Sequence, residues 1–137
     1  MILIVCVDDT MGMAFNGRRQ SRDRFVCDRI LNRASGSSLF MSQYSAGLFS
    51  EYSAEWIKAC DDYLEKAADG DYCFAELDSP APYEDRLEKI IIYRWNRIYP
   101  SDVAFSIPLK ANGWRLDSSV DFEGYSHEKI TEEIYSK

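Results

Sequence analysis

Six apolar residues, Ile2 to Val7, stop abruptly at the paired aspartates Asp8 and Asp9. The run is too short for a stable helix and lacks the polar alternation of a strand with one wet face, so it predicts a buried strand opening a central sheet. Downstream, Asn16-Gly17 is a turn signal, and a helix of about thirteen residues is expected to follow it, with Val26, Cys27, Ile30 and Leu31 on one face and Gly36 closing it. Ser38 to Met41 predicts a second strand, and Ser42 to Phe49 a helix capped by Ser42. Ser53 to Lys66 reads as helix, or strand then helix, ended by Asp69-Gly70.

The period then changes. Tyr72 to Leu77 is strand-like, Pro80 and Pro82 lead into a short helix over Tyr83 to Leu87, and Lys89 to Arg97 is a strong strand with Ile91, Tyr93 and Trp95 on one face. Trp114 to Phe122 and Glu128 to Tyr135 predict two final strands that pair as a ribbon. Strands alternating with helices, then a hairpin, define an α/β fold: a mostly parallel central sheet with an antiparallel C-terminal edge. With 137 residues, 46% of them hydrophobic, and no linker or repeat, the expectation is one domain over residues 1–137.

Composition excludes several classes. The longest apolar runs, Ile2 to Val7 and Ile90 to Ile92, are far shorter than a bilayer span, and the first lacks the flanks of a secretory leader. Cys6, Cys27, Cys60 and Cys73 are widely spaced with no CxxC, which reads as four buried thiols and, with the missing leader, as a cytoplasmic protein. One histidine cannot build a multi-histidine metal site, so no metal is expected. A Ser-His-Asp or Cys-His site would have to use that histidine, His127, in a Gly-Tyr-Ser-His stretch that reads as a surface turn, and there is no GxSxG string.

The net charge of −7 argues against nucleic acid and anionic membranes as partners. It is unevenly spread: residues 17 to 33 carry six arginines against Asp23 and Asp28, whereas residues 51 to 78 carry nine acids against Lys58 and Lys66. The basic cluster suits a small anionic ligand, pairing with the chain's own acidic half, or a solvated helix face.

The order of elements, with Gly12, Met13-Ala14-Phe15-Asn16, Leu39-Phe40-Met41, Trp56-Ile57-Lys58, Asp61-Asp62, Tyr83, Lys89 to Tyr93, Trp114 and His127 to Tyr135, resembles a shortened, divergent member of the dihydrofolate reductase-like fold family. The resemblance implies a substrate-holding carboxylate four residues before an aromatic on the first helix. With Phe25 as the aromatic, that position is Ser21, and Asp23, about 200° away on a helix, would not replace it. It also implies glycine-rich phosphate cradles, where this chain has Ala75-Glu76-Leu77 and Ser42-Gln43-Tyr44-Ser45, and a strand between Phe49 and Glu55 that is deleted here.

The expectation is therefore a binding domain without catalytic residues or NADPH. Its site would comprise Asn16, Arg18, Arg19, Gln20, Ser21, Arg22, Tyr44 and Ser45, with a small anionic ligand or a protein partner. The alternative is an active NADPH-dependent reductase with an unrecognised proton donor.

Overall fold

A computed structural model describes all residues, 1–137. Strand β1 (Ile2–Val7) is buried on both faces. Leu3, Val5 and Val7 pack into one core with Met13, Phe105 and Trp114, and Ile4 packs into a second core beneath the first helix. β2 (Gly12–Phe15) and β3 (Arg18–Arg19) form a hairpin, and α1 (Arg24–Ala34) follows. β4 (Leu39–Met41) leads into α2 (Gln43–Ala46) and a 3-10 turn, Gly47–Phe49. β5 (Ile57–Ala59), α3 (Tyr63–Lys66) and β6 (Tyr72–Phe74) come next, then a 3-10 helix, Ala81–Arg86. β7 (Lys89–Arg94), β8 (Val103–Ala104), β9 (Arg115–Phe122) and β10 (Ile130–Ser136) complete the chain.

The main sheet has the order β5-β4-β6-β1-β7-β10-β9, and a small second sheet has the order β3-β2-β8. The first five strands of the main sheet are mutually parallel; β10 runs antiparallel to both β7 and β9. This is the architecture expected from the strand and helix pattern. Ile91, Tyr93 and Trp95 all face the core beneath α1, at 2%, 0% and 4% exposure, so the alternation read from the sequence holds. No helix is long and apolar enough to cross a membrane.

The start of α1 differs from expectation. Asn16 and Gly17 both have positive φ, 54° and 71°, which is the backbone of a tight hairpin turn and pairs Phe15 with Arg18. The chain consequently stays extended through Arg18 and Arg19, and the helix begins only at Arg24. Asp23 caps it, accepting the Phe25 N–H at 2.9 Å. Neither Ser21 nor Asp23 is helical, so the angular separation computed for a helix does not apply to them.

Candidate functional site

The parallel strands end on one edge of the sheet, and the segments leaving that edge carry the polar groups. Asp8, at the end of β1, is fully buried and accepts from the N–H groups of Thr10, Gly12 and Tyr99, the Thr10 hydroxyl and the Gln20 amide. Burial works against its charge, but these donors prevail and hold the carboxyl below its usual range. Asp8 thereby ties the loop after β1 to the segment before α1 and to the loop after β7. Gly12 fits because it has no side chain: a Cβ there would lie 2.5 Å from the Ser101 Cβ.

Beside this anchor lies a hydrogen-bonded chain of three side chains. His127 Nδ1 is 2.9 Å from Asp23 Oδ2, and His127 Nε2 is 2.9 Å from Ser21 Oγ. Asp23 also accepts the Tyr125 and Ser126 N–H groups and the Ser126 hydroxyl. Burial opposes the charge on Asp23, yet the Ser126 N–H, the His127 ring and the Tyr125 and Phe25 N–H groups outweigh it and hold the carboxyl at about 2. An ionised carboxylate only accepts, so Nδ1 carries a proton toward Asp23, and in the neutral ring Nε2 is then the acceptor for the Ser21 hydroxyl. The Tyr99 hydroxyl is 3.4 Å from Ser21 Oγ and 3.3 Å from Nε2. Trp95 stacks on the imidazole, ring centroids 4.7 Å apart at 24°, and leaves His127 only 6% exposed. The histidine lies in a bend before β10, as expected, but it is buried rather than at the surface.

The second cluster is centred on Glu76, just beyond β6. Arg19 grips it with two bonds, Nε–Oε2 at 2.8 Å and Nη2–Oε1 at 3.0 Å, and Ser45 Oγ donates to Oε1 at 2.8 Å. The Arg19 guanidinium lies over the Tyr44 ring at 4.4 Å, and the Arg19 N–H donates to the Tyr44 hydroxyl. Nearby thiols are protonated: burial, then the charge of Glu76, raises Cys6 well above its ordinary range and Cys27 to about 11.

A cleft of about 230 Å³ opens between the start of α1 and the Leu48–Tyr52 segment, lined in part by Arg22, Arg24, Glu51, Tyr52 and Tyr125. Arg24 lies over the Tyr125 ring at 5.1 Å. No carboxylate comes within 4.0 Å of Arg18, Arg22 or Arg24, whereas Arg19, Arg29, Arg33 and Arg94 are all paired.

The eight residues singled out from the sequence therefore do not converge. Asn16 and Arg18 sit exposed at the hairpin tip, while Arg19, Tyr44 and Ser45 surround Glu76. Gln20 bonds Asp8, Ser21 bonds His127, and Arg22 lines the cleft. Sequence reasoning missed Asp8, Asp23 and His127 as polar centres. Only Asp23, a capping residue type directly before an apolar-periodic helix, carried a local signal.

The mainly parallel sheet with its antiparallel C-terminal hairpin matches the dihydrofolate reductase-like fold. Among solved structures, the chain is similar to a dihydrofolate reductase from Enterococcus faecalis complexed with NADP(H) and RAB-propyl. The TM-score is 0.66 at 10% identity, over 98% of this chain and 94% of that one. No protein-family model and no curated protein sequence matches the chain.

Proposed function

We propose that the protein binds a small anionic ligand, a carboxylate or phosphate carried on a flat or apolar group, in the cleft between α1 and the Leu48–Tyr52 segment. The observation that carries this reading is the pair Arg22 and Arg24, which line the cleft with no carboxylate within 4.0 Å, whereas Arg19 pairs with the buried Glu76 and Arg29 and Arg33 with the buried Glu132. The buried Asp23 also lines the cleft, with its oxygens engaged by backbone N–H groups and His127. Two guanidinium groups then face one exposed acid, Glu51, and the Tyr52 and Tyr125 rings offer apolar contact.

The residues fit a pyridine nucleotide poorly. Glu76 puts a buried carboxylate after β6, and its bonds to Arg19 and Ser45 occupy the segment where a pyrophosphate would approach. At the start of α2 the Gln43 and Ser45 N–H groups already donate to Asp61 and Ser42. A helix end that carries its own carboxylate does not attract phosphate. The reading is therefore a binding domain without NADPH chemistry.

The test is thermal melting in phosphate, sulfate and succinate at constant ionic strength. A saturable rise in Tm that disappears in Arg22→Gln/Arg24→Gln is expected. A Tm indifferent to all three anions would overturn the proposal.

A further inference from the structure

We propose that Ser21, His127 and Asp23 form a nucleophilic unit, with Ser21 as the nucleophile of an ester-hydrolysing activity. The three side chains carry the arrangement that acyl transfer requires: a hydroxyl bonded to Nε2 of an imidazole whose Nδ1–H is bonded to a buried carboxylate. Residue order and sequence motif are irrelevant to this chemistry; geometry decides it. Asp23 stays ionised and fixes both the tautomer and the ring orientation, and the stacked Trp95 holds the ring in place. Ser21 is half-buried, whereas Asp23 and His127 are buried.

The reaction balances with water as the only co-reactant. As Ser21 Oγ bonds to the acyl carbon, its proton passes to His127 Nε2. Collapse of the tetrahedral adduct breaks the bond to the alkoxide, which takes that proton and leaves as the alcohol. Water then attacks the acyl-serine, giving its proton to Nε2, and Ser21 Oγ departs and recovers the proton. Tyr99 is the hydroxyl donor nearest Oγ, at 3.4 Å, and is assigned to the oxygen on which negative charge develops. A purely structural role for Ser21 explains less, because the Tyr99 hydroxyl at 3.3 Å could by itself satisfy Nε2.

The substrate class follows from the neighbour. Arg22 adjoins Ser21 in the chain and lines the cleft together with Asp23 of the same unit, an arrangement that would favour an ester whose acyl part bears an anion. This preference rests on the anion-binding reading above; the nucleophile does not.

The experiment exposes the folded chain to a neutral alkyl fluorophosphonate and maps the adduct by peptide mass spectrometry. One adduct, on Ser21, is expected, with the exposed Ser118 and Ser119 of β9 unmodified. Ser21→Ala should abolish labelling, and His127→Gln should slow it at least tenfold. The selectivity of Ser21 over Ser118 and Ser119 is read within one molecule, so it tests the proposal even where His127→Gln fails to fold. In parallel, p-nitrophenyl acetate should give a burst that Ser21→Ala removes, and Tyr99→Phe should lower kcat more than it changes KM. A folded protein whose Ser21 reacts no faster than Ser118 or Ser119 would overturn the assignment. p-Nitrophenyl hydrogen succinate should be preferred to the acetate until Arg22→Gln. If labelling stays on Ser21 without that preference, the anion reading fails and the nucleophile stands.

Discussion

Asp23 concentrates several roles in one carboxylate: helix cap, anchor for the Tyr125-Ser126 turn, and partner of His127. Its folded value of about 2 lies below the ordinary 3.8, so its contribution is fully present above pH 3.8 and is lost as pH falls through about 2. Urea titrations from pH 5 to pH 2 should show a loss of about 2 kcal/mol that Asp23→Ala removes, because the variant has already lost it. At neutral pH that variant should unfold about 2 to 4 kcal/mol more easily, since the cap is gone and the part-buried Phe25, Tyr125 and Ser126 N–H groups lose their acceptor. Gly124 probes the same packing from the other side. A Cβ there would stand 2.7 Å from Asp23 Oδ2 and 2.9 Å from the His127 carbonyl oxygen, so Gly124→Ala should cost on the order of 2 kcal/mol in a denaturant titration. Beyond the capping role, none of this was legible locally, because Asp23 and His127 are 104 positions apart and their meeting is decided by where α1 and β10 dock.

The strand and helix pattern was largely legible because its signals are local. β1 and β7 are apolar runs, α1 shows helical periodicity up to Gly36, and the Ser42 cap is a type-specific start. The start of α1 was misplaced because the helix was expected to follow the Asn-Gly turn directly, whereas two consecutive positive φ values make that turn a hairpin and insert β3 before the helix. That hairpin gives Arg18 and Arg19 different fates. Arg19 pairs with the buried Glu76, so Arg19→Met should destabilise by about 3 kcal/mol by leaving that carboxylate uncompensated. Arg18 is exposed and unpaired, and Arg18→Gln should change stability by less than about 0.5 kcal/mol. β7 is tested one residue past its end. Trp95 is 4% exposed and stacked on His127, and Trp95→Ala should cost on the order of 3 kcal/mol by chemical denaturation.

At the scale of the whole molecule, both polar clusters and the cleft lie where the carboxyl ends of the parallel strands open, as expected for α/β sheets of this kind. The place was predictable from topology, while the chemistry at that place depended on side chains contributed by separated segments. Millimolar NADPH should leave Tm unchanged, and a saturable rise of several degrees would restore the reductase alternative. The sheet order has a temporal consequence. β9 is hydrogen-bonded to the rest of the main sheet only through β10, which inserts between it and β7. His127 lies in the connection between those two strands, more than a hundred positions beyond Ser21 and Asp23. On a ribosome adding roughly 5 to 20 residues per second, the serine and the aspartate emerge roughly 5 to 20 s before their histidine. Ser21 lacks its base throughout that interval, and from the emergence of β7 until β10 follows, β7 offers an unpaired edge, so a nascent or prematurely released chain is both aggregation-prone and inert. The same threading event that closes the sheet delivers the imidazole.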